Sequence, residues 1–305
     1  MDYIIETENL TKRYGTATVV DKVNLHVPKG KIYGLLGRNG AGKTTAMKMM
    51  LQLAFPTEGT VRLFGTNYKE NIHTLYSKVG SIIETPGFYS NLTGYENLQI
   101  LAKLRGGVSK SGVEKALEVV GLHKEKRKVF SDYSLGMKQR LGIGMALVGE
   151  PDVLVLDEPI NGLDPEGIAE VRETLLRLNK EKGLTIIISS HILEELSKIA
   201  TNYAIIDKGQ LVKELSREEL EATCREHIEI KMEHPDLALP VLDALGFKDY
   251  RVADENTIHI FERLNESGKI TMELSRKNIY IHSISVTNES IEDYFLRLTG
   301  GVDHA

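Results

Sequence analysis

The sequence predicts an α/β chain with a mainly parallel core sheet, an antiparallel β subdomain, an inserted helical subdomain and a small α+β domain after them. Three observations carry that prediction. Short apolar runs at 32–36, 153–156 and 185–188 stop at Gly37, Asp157 and Ser189, and apolar runs without alternation suit parallel strands covered on both faces. Between 93 and 121 the apolar residues switch to a helical period. Beyond residue 215 a second set of periodicities follows in the order βαββαβ, that of a ferredoxin-like fold. The 305 residues suffice for a large domain over 1–215 and a small one over 216–305.

Each element has its own justification. Over 3–27 the apolar residues tend to alternate and Pro28-Lys29-Gly30 reads as a turn, which predicts antiparallel strands leading into the stretch Ile32-Tyr33-Gly34-Leu35-Leu36. A helix-forming run, Ala46-Met47-Lys48-Met49-Met50-Leu51, comes next, and further strands flank Glu58-Gly59 and end near Phe64. In the helical subdomain, about 86–150, Leu98, Leu101, Ala102 and Leu104 share one stripe, and Val113, Ala116, Leu117 and Val120 another. Leu141, Ile143, Met145 and Leu147 mark a further helix. In the last domain Ser216-Arg217-Glu218-Glu219-Leu220 caps a short helix. Strand 227–232, helix 236–245 closed by Gly246, strands near Tyr250 and Ile258, helix 266–274 and strand 279–286 complete it. Ile291, Tyr294, Phe295 and Leu298 fall at i, i+3, i+4 and i+7, an amphipathic helix expected to pack on its own domain.

Composition excludes several classes. A net charge of −5 supplies no global basic field for nucleic acid or an anionic membrane, and the basic run Lys124, Lys126, Arg127, Lys128 reads as solvated surface. The single cysteine, Cys224, rules out an internal disulfide and fits a reducing cytosol. No run of about 18 apolar residues and no basic, apolar leader is visible, so the chain is expected neither to span a membrane nor to be secreted by that route.

The chemistry concentrates where the strands stop. Gly37-Arg38-Asn39-Gly40-Ala41-Gly42-Lys43-Thr44, between strand and helix, is a phosphate-binding loop. Its glycines let backbone N–H groups turn inward around a polyphosphate, and the following helix adds its positive end. Lys43 suits the β- and γ-phosphates and Thr44 suits Mg²⁺. Asp157 and Glu158 supply what hydrolysis still needs: Asp157 to hold Mg²⁺ through water, Glu158 to polarise the attacking water. Ser134 and Gly136 open another helix and so make a second anion-binding N-terminus.

Residues 37–44, 134–139, 154–159, Gly162-Leu163-Asp164 and His191 match, in this order, the motifs of the ATP-binding cassette (ABC) family, and the chain resembles that family over about 3–215. The resemblance implies nucleotide contacts from Gly37, Arg38, Asn39, Gly40, Ala41, Gly42, Lys43, Thr44 and Thr45, with Tyr14 stacking on adenine. It implies that two copies pack head to tail, Ser134 and Gly136 of one closing on the γ-phosphate held by Lys43 of the other. His191 resembles the switch histidine that aligns water with Glu158, and Asp164 the residue that links the two sites while also capping a helix. Most of the family carries glutamine where this chain has Glu84, a position that touches Mg²⁺ and senses a transmembrane partner. Glu84-Thr85-Pro86-Gly87-Phe88-Tyr89, the wording of 134–140, and Ser290-Ile291-Glu292-Asp293-Tyr294-Phe295 resemble the ATP-binding subunits of bacitracin-resistance and lantibiotic-protection transporters.

The resulting expectation is an ATP-hydrolysing, energy-coupling subunit of an exporter for bacitracin or a related peptide antibiotic, handled by a permease. ATP and Mg²⁺ are its expected cofactors, a second cassette and a transmembrane permease its partners, and the cytoplasmic face of the membrane its place. Pro86, Phe88 and Tyr89 are expected to form an apolar socket for a permease helix. A soluble ABC ATPase working on DNA or ribosomes is the alternative. It is disfavoured because neither tandem cassettes nor a long coiled-coil insertion is visible.

Overall fold

The computed structural model describes residues 2–67, 76–84, 86–106, 109–288 and 290–300. Contacts divide the chain into two compact units, residues 1–217 and 218–305.

The first unit opens with strands β1 (Tyr3–Tyr14), β2 (Ala17–Val23), β3 (His26–Pro28) and β4 (Ile32–Leu36), then helix α1 (Lys43–Met50), β5 (Glu58–Leu63), β6 (Thr66–Asn67) and β7 (Val79–Ile82). Helices α2 (Gly94–Leu104), α3 (Lys110–Val119) and α4 (Leu135–Leu147) follow. The unit closes with β8 (Val153–Leu156), α5 (Pro165–Lys182), β9 (Thr185–Ser190), α6 (Leu193–Ser197), β10 (Asn202–Asp207) and β11 (Gln210–Ser216). One sheet is antiparallel, in the order β2-β1-β5-β6 with β3 also beside β1. The other runs β11-β10-β4-β9-β8-β7 and is parallel at every pairing except β10–β11. The apolar runs at β4, β8 and β9 are its three central strands, and β8 and β9 are buried along their whole length. Strands β7, β10 and β11, which the sequence reading did not single out, extend it on both sides.

Helix α1 lies in the core between the sheets. Its Ala46, Met47, Met49 and Met50 pack in one cluster with Leu10, Val20 and Leu25 from the antiparallel sheet and Tyr33, Val155, Ile187 and Ile206 from the parallel one. Burial on both sides fixes where the helix starts, and therefore where the preceding loop lies. In the helical subdomain α2 begins with a capping box between Thr93 and Glu96, α3 with Ser109 and α4 with Ser134 as N-caps. Leu98 and Ala102 are buried as expected, but Leu104 is 77% exposed. It is the last residue of α2.

The second unit contains α7 (Arg217–Thr223, entered from the first unit), β12 (His227–Lys231), α8 (Pro235–Ala244), β13 (Tyr250–Asp254), β14 (Thr257–Ile260), α9 (Ser267–Arg276), β15 (Ser283–Thr287) and α10 (Ile291–Leu298). Its sheet order β13-β14-β12-β15, antiparallel throughout, is the ferredoxin-like arrangement. Ile228, Ile230, Ile258 and Ile260 meet Leu242 of α8 and Ile270 and Leu274 of α9 in one core. The last strand starts at Ser283 rather than 279, because β12 ends at Lys231, the partner of Ser283, and leaves earlier residues no edge to pair with. Ile279 and Ile281 instead pack on the core from a loop. Tyr294 and Phe295 of α10 are buried. Among the described residues no helix is long and apolar enough to cross a membrane.

Candidate nucleotide site

The loop between β4 and α1 is shaped by its glycines. Gly42 takes φ 106° at the N-cap of α1, a conformation open to glycine, and a Cβ there would lie 2.7 Å from the Val19 carbonyl oxygen. At Gly37 a Cβ would come within 2.4 Å of the Ile206 carbonyl oxygen. Arg38, Asn39 and Gly40 form the exposed rim, whereas Ala41, Gly42 and Lys43 are buried and Thr44 and Thr45 half-buried. Lys43 folds back over the loop, its Nζ donating to the Gly37 carbonyl at 2.7 Å and to that of Arg38 at 3.3 Å.

The carboxylates arrive from the neighbouring strand ends. Thr44 Oγ1 donates to Asp157 Oδ2 at 2.7 Å. Glu158 Oε1 stands 3.2 Å from Lys43 Nζ, and its Oε2 2.7 Å from His191 Nδ1. Parallel pairing of β8 and β9 aligns Leu156 with Ile188, which brings Asp157 and Glu158 beside the residues that follow Ile188. Glu158 holds φ 47°, a left-handed conformation that costs a non-glycine residue on the order of 1–3 kcal/mol. Ser189, fully buried, holds both acids: its Oγ donates to Asp157 Oδ1 at 2.6 Å and accepts the Glu158 N–H at 2.8 Å. The sequence reading assigned Ser189 no role. The available signal was a hydroxyl at the end of a buried strand, adjacent to the acid-bearing one.

Thr44 and Asp157 present hard oxygens in contact with each other, and the second Asp157 oxygen is already oriented by Ser189. That donor set fits a small dication that keeps several waters, as Mg²⁺ does. Glu84 is placed differently. It adopts φ 67°, and its Oε1 lies 2.5 Å from Lys48 Nζ on α1. Hydrogen bonding to Glu84 raises the Lys48 pKa, with smaller contributions from Tyr14 and Asp157, which lie within electrostatic reach. Tyr14, 53% exposed, ends β1 with Lys12 Nζ 4.9 Å from its ring centroid.

A second group lies at the start of α4. Ser134 accepts the Met137 N–H at 3.2 Å, Leu135 is 51% exposed, and Gly136 backs onto Gly167 of α5. Asp164 caps α5, accepting the Gly167 N–H at 3.0 Å. Among the described residues no hydrogen bond or ion pair joins Ser134, Gly136 or Asp164 to the Lys43–Glu158 cluster.

The segment after Glu84 borders a third feature; Thr85 lies outside the described residues. A groove of about 240 Å³ is lined by Gly87, Phe88, Tyr89, Asn97, Ile100, Leu101 and Leu104, which gives the exposed Leu104 a place. Buried Asn97 pins its rim by accepting the Tyr89 N–H at 2.8 Å and donating to the Tyr89 and Thr93 carbonyls. Pro86 does not line the groove but packs near Gly142 of α4. The Phe88 and Phe130 rings meet tilted at 4.9 Å and those of Phe130 and Tyr133 at 5.9 Å, a run of rings ending one residue before Ser134.

Known proteins share this organisation. Residues 20–161 match the family described as ABC transporter. The bacitracin transport ATP-binding protein BcrA of Enterococcus faecalis is 65% identical over 302 residues, covering 99% of this chain and 98% of its own length. The BcrA protein of Bacillus licheniformis is 42% identical over 302 residues, 99% of either chain. A solved ATP-binding subunit of an ABC transporter superposes with a TM-score of 0.63 at 29% identity, over 72% of this chain and 92% of its own. Identity of this depth along nearly the whole length is a family relationship: the chain belongs to the ABC transporter family, as an ATP-binding subunit that hydrolyses ATP.

Proposed function

We propose that the chain is the energy-coupling cassette of an exporter for bacitracin or a related peptide antibiotic, working as a dimer beneath a transmembrane permease on the cytoplasmic face of the membrane. The observation that carries the catalytic part is the junction Lys43–Glu158–His191. The Lys43 ammonium, 3.2 Å from Glu158, offsets the charge of that carboxylate. Phosphates entering the loop draw Lys43 to themselves, which frees Glu158 to accept a hydrogen bond from the attacking water. His191, already 2.7 Å from Glu158, aligns that carboxylate and reaches toward the γ-phosphate. Such positioning and charge stabilisation are what phosphoryl transfer asks of a protein.

The nucleotide contacts are the N–H groups of residues 37–45 and the ring of Tyr14. Thr44 and Asp157 would hold Mg²⁺, which would offset the negative charge of the terminal phosphates. Glu84 would join them only on leaving Lys48. Ser134 and Gly136, exposed or half-exposed and apart from Lys43, serve the nucleotide held by the second copy, and Asp164 lies at the contact between copies. The groove beside Phe88 and Tyr89 takes a permease helix, and the tilted ring contacts of Phe88, Phe130 and Tyr133 lead from that helix to Ser134.

Expression in a bacitracin-susceptible host, together with the membrane partner, tests this reading. Wild-type protein raises the inhibitory concentration and Glu158→Gln does not. Equal protection from the two proteins refutes the role of hydrolysis, and no protection from either refutes the substrate class.

A further inference from the structure

Three ligand-type side chains converge on the sheet of the second unit, remote in sequence from every motif of the nucleotide site. Strands β12 and β14 are antiparallel neighbours with Glu229 opposite His259. Side chains alternate along a strand, so while Ile228, Ile230, Ile258 and Ile260 fill the core, His227, Glu229 and His259 share the opposite face. One ligand atom from each lies within 4.8 Å of the other two. The two imidazole rings are 4.0 Å apart between centroids.

His227 Nδ1 lies 2.9 Å from the Arg225 carbonyl oxygen. A carbonyl only accepts, so in the neutral ring Nδ1 carries the hydrogen and Nε2 keeps its lone pair, the tautomer that metal-ligating histidines adopt when a carbonyl orients them. His259 Nδ1 is buried with no hydrogen-bond partner. Its other nitrogen, Nε2, stands 3.7 Å from Glu229 Oε2, beyond hydrogen-bond reach. Two cations oppose a metal here. Lys231 Nζ holds Glu229 Oε1 at 3.3 Å, and Arg251 pairs in register with His259. Oε2, the oxygen facing His259, is left available.

We propose that His227, Glu229 and His259 bind a divalent transition-metal ion of the zinc class, with the remaining position taken by water. Two imidazoles and a carboxylate are a donor set that zinc accepts at bond lengths of about 2.0–2.2 Å, which sets ligand atoms about 3.3 Å apart in a tetrahedron. The 3.7 Å between His259 Nε2 and Glu229 Oε2 is a few tenths of an ångström from that spacing. The bound ion cross-links β12 to β14 and stiffens the second unit.

The test titrates the metal-free full chain with Zn²⁺ by calorimetry, in excess Mg²⁺ so that hard oxygen sites are already filled. One zinc per chain is expected, weakened at least about tenfold by Glu229→Gln, His259→Ala or His227→Ala and unchanged by His282→Ala. Zinc also raises the thermal midpoint of the wild-type chain and not that of the three site variants. Glu229 is only partly buried, with 26% of its side chain exposed, so Glu229→Gln keeps the test decisive if a histidine variant fails to fold. Absence of zinc binding by the wild-type chain overturns the proposal, as does binding of equal affinity and stoichiometry in Glu229→Gln.

Discussion

Ser189→Ala removes one hydroxyl that serves both acids of the nucleotide site. In the wild-type chain that hydroxyl donates to Asp157 at 2.6 Å and accepts the Glu158 N–H at 2.8 Å, with no exposure to solvent. Its loss leaves a partly buried N–H without its partner, at about 1–3 kcal/mol, and takes a charge-assisted bond from Asp157, at about 1.5–3 kcal/mol. The two effects pass through one atom and Asp157 keeps Thr44, so they do not add fully; about 2–3 kcal/mol is expected. For a unit of this size that lowers the unfolding midpoint by roughly 4–12 °C. Glu158, held at φ 47°, loses the bond that fixes its backbone. ATP turnover is therefore expected to fall at least about tenfold, since misplacement by about 1 Å costs that much or more. Denaturant unfolding and steady-state hydrolysis of the same preparation check both numbers. Stability within about 0.5 kcal/mol of wild type together with undiminished turnover refutes the reasoning, because a surface substitution without a structural role behaves that way.

Three further outcomes follow from the same contacts. Glu158→Gln keeps the shape of the site but loses the base, so ATP binding persists, turnover nearly disappears, and size-exclusion chromatography shows an ATP-stabilised dimer. Glu84→Gln and Glu84→Ala cost less than about 1 kcal/mol in stability, because the Lys48 pair is largely exposed, yet they lower antibiotic protection in cells; unchanged protection with both removes Glu84 from the coupling path. Asp164→Ala loses the N-cap of α5, a destabilisation of about 1 kcal/mol by denaturant unfolding. Asp164→Asn retains the cap, and a loss of turnover in that variant isolates the charge.

The parts of the site legible in the sequence are those whose chemistry is written in consecutive residues. The loop at 37–44 and the pair Asp157-Glu158 each sit where an apolar run stops, and sheet geometry sends such stops to one edge. The strands β4, β8 and β9 were visible for the same reason. Strand β10, with Tyr203-Ala204-Ile205-Ile206, is as apolar as its neighbours, but it carries no site residue to draw attention to it. Pairings between distant residues were not legible at all. Ser189 meets Asp157 only through the register of β8 and β9, and Lys48 meets Glu84 only because α1 is buried between two sheets. Leu104 shows the limit of periodicity: it continues the stripe of α2 but is exposed, at the edge of the groove.

The central claim is that a working site joins Lys43 of one copy to Ser134 of another, and complementation between two inactive variants measures it most directly. Lys43→Ala and Ser134→Arg are each purified, shown to lack ATP turnover, and mixed in equal amounts. Random pairing makes half the dimers mixed, each with one intact site out of two, so the mixture is predicted to recover roughly a quarter of wild-type turnover. A mixture as inactive as either variant alone contradicts the shared site.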